Sequence, residues 1–577
     1  MRITEQPIQT KNYEVCVVGG GIAGVCAAIS AARNGAKTAL IQDRPVLGGN
    51  ASSEVRMWIC GAPGHDNKEA GLVEELQLTN LFLNPGQNYH LWDQTLYAKI
   101  IEEPLIDLYL NTSVIYTKSK NSLIESIQAW QLTSQTWFHF NAKIFIDCSG
   151  DSILRYCGAE FSKGKEAKSD FNESLGQDKA NSNTMGNSIL LQCQEVDVHI
   201  PYQKPSFAYD FTDDDFNGRV TKITKTNNFW WIEYGGLKDT LFDAEEIRME
   251  VIKISLGVWA YMKNHPDGRC KNWDLTWVGA LPGKRENIRY TGAHILTQND
   301  LEQNVHFDDR IGHGGWPMDD HPSDGFYNKV KPTVYHKTPN RYEIPFRSLY
   351  SININNLFFA GRNISATHMA LSSTRVMGTC GVMGQAVGTA AAICIKEGVL
   401  PADITKHYVD RLQNTLVEQD QLIPNFKREY SHLFHQATFN LTEEQMTILN
   451  NGLERDENNQ INSIEVKKNQ PIEMTWREPQ KVKKIRFVFD SNLKDRKHIP
   501  CTIFKQTEFK FLYEYLPRQI VIRVLNSNRQ WVNHSEINQN YKRLLEIPIS
   551  MDTLGVQICI AETWGNEVCK IFTIEPM

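Results

Sequence analysis

Residues Tyr13 to Ser53 read YEVCVVGGGIAGVCAAISAARNGAKTALIQDRPVLGGNASS. Val15-Cys16-Val17-Val18 is apolar without alternation, the pattern of a strand buried on both faces of a parallel sheet. Gly19, Gly21 and Gly24 follow at the spacing G-x-G-x-x-G. An Ala-rich helix is predicted from Ile22 to about Asn34, and Thr38-Ala39-Leu40-Ile41 reads as a second strand. In such a βαβ unit Gly19 permits the tight turn, Gly21 lets backbone approach a pyrophosphate, and Gly24 allows close helix–strand packing. The amides that open the helix, with Ile22 and Ala23 in its first turn, then face phosphate charge at the positive end of the helix dipole. A glycine pattern alone is weak; framed by two strands it predicts a dinucleotide site.

An acid normally closes the second strand and holds the ribose hydroxyls. Gln42 stands there instead, followed by Asp43. An amide can accept from and donate to vicinal hydroxyls without charge; Asp43 is either the ribose ligand or the cap of a loop. The next residues, Arg44 through Ser53, hold Gly48, Gly49, Asn50, Ser52 and Ser53. They form a loop of small and hydroxyl residues that could run beside a second, longer half of the cofactor.

From this point the chain resembles the FAD-binding flavoproteins of the glutathione-reductase/fumarate-reductase superfamily. Further stretches carry the likeness. Lys143 to Asp151 is an apolar strand ending in Cys148-Ser149-Gly150-Asp151, similar to the A-T-G-D that passes the adenine–ribose half of FAD, which points to Ser149 and Gly150. Asn356 to His368 ends a strand in Ala360-Gly361-Arg362. Ser373 to Ala392 then opens a helix carrying Gly378, Gly381, Gly384 and Gly388. The resemblance implies that this second helix start, with Gly361, Arg362, Gly378 and Gly381, faces the flavin edge that becomes negative on reduction. Both ends together resemble the FAD-dependent oxidoreductase family over about residues 13 to 400, including W-W-I-E and G-K-R-E in the middle. Some members of that family bear the name xanthan lyase, which says nothing about mechanism.

The chain has 577 residues, enough for two to four domains, with 41% apolar and 22% charged residues and a net charge of −6. That balance argues against a nucleic-acid surface. No signal-type apolar start and no run of 18 apolar residues is visible, so neither export nor a membrane span is expected. The 12 cysteines form no C-x-x-C pair; reduced, buried thiols and a cytoplasmic protein are expected. A second glycine fingerprint is lacking, so an NAD(P)H domain is not expected. Reoxidation is left to a separate electron acceptor, oxygen, or the product itself.

The fold class expected is α/β: a Rossmann-like FAD-binding domain (1–151 and 341–420), an inserted α+β substrate or cap domain (152–340), and a C-terminal antiparallel β-sandwich (435–577). Asp243 should cap a helix running to about Met262, with Ile247, Val251, Ile254, Val258 and Tyr261 on its core face. The aromatic run Asn227 to Gly236 is either a pocket wall for a ring-shaped polar ligand or plain packing. His313, Asp319, Asp320 and His321 match no zinc spacing, so a loop at the mouth of an active site is preferred over a metal. Period-two strands after Glu465, with the turn at Phe489-Asp490-Ser491-Asn492-Leu493, resemble discoidin-like jelly rolls, many of which bind glycans.

With non-covalent FAD supplying the redox chemistry, the chain must supply a base. His368, just before the flavin-facing helix, is the first candidate, with Arg375 as a carboxylate or flavin partner. Arg285 and Glu286 follow, beside Arg56 and Glu54; His90 and His321 come last. The expected function is oxidation of an alcohol carbon in a carbohydrate or other polyhydroxylated small molecule, a sugar or uronate, with a homo-oligomer among the states the chain could adopt. Alternatives are glycan cleavage by transient oxidation and elimination with no net redox, a glycan-binding protein with a vestigial cofactor site, and a true polysaccharide lyase.

Overall fold

Strands that read as apolar runs in the sequence come together as one parallel sheet. In the computed structural model, which describes residues 8–64, 66–224, 228–457, 460–492, 499, 502–503 and 513–577, its order is Leu357–Phe359, Ile144–Asp147, Val15–Val18, Thr38–Ile41 and Ile106–Tyr109. Every residue of the four-residue strands Val15–Val18, Thr38–Ile41 and Ile144–Asp147 is buried, as a sheet covered on both faces requires. Asn227 and Leu493 lie outside the described residues.

Two helices of small residues pack beside this sheet. The opening helix is Ile22–Arg33 and the closing helix Met377–Glu397. A Cβ on Gly384 would lie 2.1 Å from the Ala23 carbonyl oxygen, and one on Gly388 would lie 2.2 Å from that of Ala27. Ser30 and Thr389 hydroxyls bond at 2.7 Å across the same seam. Matching Ala23 to Gly384 and Ala27 to Gly388 makes the helices parallel. The closing helix therefore starts six residues beyond the level of the opening one, roughly 9 Å at the α-helical rise. It is long and apolar enough to cross a membrane, yet 94% of its most apolar window is buried within the protein.

The chain divides into two compact units, not three domains: Met1–Pro63, Gln87–Leu416 and Lys497–Thr507 form one, and Gly64–Gly86, Val417–Arg496 and Glu508–Met577 the other. The region expected as a separate cap, 152–340, belongs to the first unit. Its helix Ala244–Asn264 buries Ile247, Val251, Ile254 and Val258 against Phe229, Trp231 and Phe326. Asp243 precedes that helix, but its carboxylate accepts from the Asp239 amide at 3.0 Å instead of capping. The aromatic run is a turn leading into a two-residue strand, Glu233–Tyr234. The stretch expected as a mouth loop is built from short strands, Arg310–Gly314 and Met318–Asp320.

In the second unit the described strands form an antiparallel sheet containing Ile464–Lys467, Val568–Pro576, Ile472–Phe489, Leu544–Thr563, Pro517–Leu525 and Trp531–Ile537. Leu544–Thr563 is one continuous strand that pairs with Ile472–Phe489 through register shifts. Residues 417–434, before the expected start of the sandwich at 435, are part of this unit. Phe434 and Leu449 enter its core beside Leu78 of the helix Leu72–Leu83. Glu74 on that helix pairs with Arg455, and Asp420 accepts from Arg543 at 2.9 Å. These contacts explain why 64–86 and 417–434 fold with the C-terminal sheet.

Candidate active site

The glycine loop has two separable jobs. Gly19 (φ +100°) and Gly24 serve packing: a Cβ on the first would sit 2.5 Å from the Cys148 backbone, and one on the second 1.8 Å from the Gly19 carbonyl oxygen. Gly21 serves an approach from outside, since a Cβ there meets nothing within 4 Å. Gly21 also precedes the opening helix without a side-chain cap, which leaves the first amides to an external acceptor. Ile22 and Ala23 are buried, and Ala23 abuts the closing helix.

The loop after the second strand folds back onto this turn. Gly48 donates its amide to the Gly20 carbonyl at 2.8 Å, and a Cβ on Gly49 would lie 3.1 Å from Gly21. Gln42, expected to meet ribose, instead accepts from the Gly20 amide at 2.7 Å and donates to the Val46 carbonyl at 3.3 Å. It is buried and braces the loop. Asp43 is exposed at the strand end. Arg44 makes a two-pronged pair with Glu54 at 2.6 and 2.9 Å. Asn50 donates to the Lys284 carbonyl at 2.9 Å. The Ser52 hydroxyl accepts from the Glu54 amide at 3.3 Å, and the Ser53 amide donates to Asp93 at 2.9 Å.

Ser149 and Gly150 lie at the end of the strand Ile144–Asp147, where buried Asp147 accepts from the Ser149 hydroxyl (2.6 Å), Tyr290 (2.6 Å) and the Leu154 amide (2.8 Å). Arg362, after Gly361 (φ +115°), lies over Gly150: a Cβ there would meet its guanidinium at 2.5 Å. One Arg362 nitrogen, Nη1, is buried without a partner among the described residues. Asp151 beside it binds Lys284 at 2.5 Å. Burial pushes the Asp151 carboxyl up, but Lys284 and Arg362 more than offset this and hold it below its ordinary range.

A cleft runs from Asn50, Lys284 and Arg362 to the start of the closing helix at Arg375, Val376 and Met377. That helix also starts without a side-chain cap. Gly378 does not offer its amide to the cleft, because the Cys60 carbonyl takes it at 2.8 Å; Gly381 is buried a turn further in. Trp58, Trp230, Trp316 and Tyr335 give the cleft aromatic walls. Its polar groups are Arg285, Asp319, His321 and Arg375.

These groups form a chain. His321 is buried, with Nδ1 2.6 Å from Glu233 and Nε2 3.3 Å from Asp319. Asp319 accepts from Arg375 at 3.0 Å, and Glu233 lies 3.5 Å from Arg285. Burial raises the Asp319 carboxyl, but His321 and Arg375 outweigh it and hold the group far below the usual carboxylate range. For Glu233 burial likewise opposes, and Arg285 and His321 keep it lowered. Tyr335 is pushed up to about 12 by burial and by Asp319.

His368 does not line this cleft. Its ring nitrogens meet Glu286 at 2.9 Å and Asp320 at 3.0 Å, and Glu286 is fully buried. Arg56 and His90 lie together at 3.2 Å, away from the cleft lining, with Arg56 stacked over Trp277 at 4.3 Å. His321 was reached last from sequence because a lone histidine in a Gly-rich stretch has no spacing signal. The alternation of Asp319, Asp320 and His321 along a strand was the available clue.

A parallel sheet with a glycine turn open to an outside ligand, an arginine beside it with one buried nitrogen left without a partner, and a second helix start without a side-chain cap are the features a dinucleotide-binding flavoprotein requires. A family profile described as FAD dependent oxidoreductase matches residues 14–416, and the chain belongs to that family. FAD is therefore its cofactor, and the residues fit it: Gly21 offers the open approach and Arg362 the free donor. Among solved structures, L-proline dehydrogenase from P.horikoshii matches at 17% identity over 28% of this chain, with a TM-score of 0.17. The chain spans only 26% of that protein's length. A geranylgeranyl bacteriochlorophyll reductase-like protein from Thermoplasma acidophilum is 13% identical, covering 71% of this chain and 86% of its own, at a TM-score of 0.31. OxyS anhydrotetracycline hydroxylase from Streptomyces rimosus is 10% identical over 71% and 66%, at 0.32. Likenesses of this size say nothing about substrate.

Gly21→Val is expected to leave the fold intact, because its side chain enters open space, but to fill the approach to the cofactor. Retained FAD, read from absorbance after desalting, should fall by roughly a hundredfold, as about 3 kcal/mol of blocked contact implies. A Gly21→Val protein that stays fully yellow would contradict this use of the loop.

Proposed function

We propose that this flavoenzyme oxidises a hydroxyl-bearing carbon of a carbohydrate or similar polyhydroxylated small molecule in the cleft. The observation that carries the reading is the coincidence of aromatic walls with the His321–Asp319–Arg375 chain beside the closing helix. Aromatic faces suit the C–H faces of a ring, and convergent polar groups fix its hydroxyls. FAD supplies, when bound, the acceptor for the hydride leaving the carbinol carbon. His321 takes the hydroxyl proton at Nε2, the substrate hydroxyl replacing the 3.3 Å contact of that nitrogen with Asp319, so that alcohol becomes carbonyl. Glu233 orients the ring through Nδ1, and Asp319 stabilises the imidazolium. Arg285 and Arg375 hold oxygen atoms of the substrate. A separate acceptor then reoxidises the protein.

An anaerobic screen of D-glucose, D-galactose, D-glucuronate and D-galacturonate tests this by following the flavin band. Lasting bleaching with one carbonyl formed per flavin is expected. Product formation with unchanged absorbance would instead favour transient oxidation and elimination. If no hydroxyl compound bleaches the flavin, the proposal fails.

A further inference from the structure

The wall that presents Arg285 and Asp319 to the cleft has a second face. Arg285 and Asp319 line the cleft, while their neighbours Glu286 and Asp320 do not; for Asp319 and Asp320 this follows from the alternation of side chains along the strand Met318–Asp320. Asp320 and His368 line a separate small cavity together with Lys165, Glu166 and Glu173. His368 joins the two backs: Nδ1 sits 2.9 and 3.0 Å from the Glu286 oxygens, and Nε2 sits 3.0 Å from Asp320.

We propose that His368 is a positioning residue, an imidazole clamp that holds the segments carrying Arg285 and Asp319 at a fixed separation across the cleft. Its role rests on reading the cleft as the reaction site. Both ring nitrogens face carboxylates, and the residue, unlike His321, does not line the cleft. Four carboxylates crowd here, Glu166, Glu173, Glu286 and Asp320, against the cations Lys165 and Arg289. Arg289 meets Glu286 at 2.5 Å and Glu166 at 2.6 Å; Lys165 reaches Asp320 at 3.2 Å. A protonated His368 balances much of the remainder. Burial disfavours that charge, but Glu286 and Asp320 outweigh burial, and the group is raised above its ordinary value. Without the imidazole, two inward-facing carboxylates would repel and their segments would part.

Hydrogen–deuterium exchange on the FAD-loaded protein tests the clamp. His368→Gln should speed exchange at least tenfold in 283–287 and in 318–321 together, leaving 385–393 of the closing helix unchanged. Glu286→Gln should do the same in 318–321, whose Asp320 it faces across His368. Should His368→Gln not fold, Asp320→Asn carries the matching expectation for 283–287. Where a sugar of the screen bleaches the flavin, the limiting rate should fall tenfold or more with half-saturation changed less than threefold. Unchanged exchange in either segment, or equal loosening of the closing helix, overturns the clamp. Exchange that responds as expected, with no sugar reducing wild-type flavin, would sink the reading of the cleft and leave the clamp standing.

Discussion

His321→Asn is expected to slow flavin reduction by a hydroxyl substrate by about 10² to 10⁴-fold, the range for a lost general base, with FAD retained. Asparagine can keep the contact to Glu233 but offers no site for a proton. The residue is buried yet lines the cleft, between Glu233 at 2.6 Å and Asp319 at 3.3 Å, so Tm is read beside the rate to separate lost chemistry from loosening of the two carboxylates. Anaerobic stopped-flow following the flavin band measures it. His321→Asn with a wild-type limiting rate would remove His321 from the reaction, leaving Asp319 as the remaining acceptor in that chain.

Gly384→Val is expected to damage the first unit and its cofactor site together. The added Cβ would lie 2.1 Å from the Ala23 carbonyl oxygen, and a backbone atom cannot swing aside as a side chain would. Overpacking of this kind costs about 3 kcal/mol or more. For a unit of about 400 residues that lowers Tm by roughly 3–4 °C. Because the parted seam carries both helix starts, FAD should be lost along with stability. Gly86→Ala, where a Cβ meets nothing within 4 Å, should stay within about 0.5 kcal/mol. Differential scanning calorimetry and flavin absorbance read both. Equal melting of the two variants would mean that the helices do not need this close approach.

The nucleotide-binding half was legible because its signals are local. Gly19, Gly21 and Gly24 are fixed by a turn, an approach and a packing contact that all fall within six residues, and the apolar runs at 15–18 and 38–41 need no distant partner to be read as buried strands. Gln42 was read at the right place but for the wrong neighbour: its choice of the Gly20 amide depends on how the 44–53 loop folds back, which no spacing records. The cap stripe Ile247, Val251, Ile254 and Val258 was readable by period, while the companion of the C-terminal sheet, Leu72–Leu83, was not, since 64–86 lies far from it in the chain.

By itself, then, the amino-acid order determined the buried strands, the first helix start and a dinucleotide site, all set by short-range geometry and periodicity, while the flavin came from the resemblance carried by both helix starts. Tertiary structure alone decided which histidine reaches the cleft. Along extended chain, neighbours face opposite ways, so only the packing of the Met318–Asp320 strand against its surroundings could place Asp319 and His321 in front and Asp320, with His368, behind.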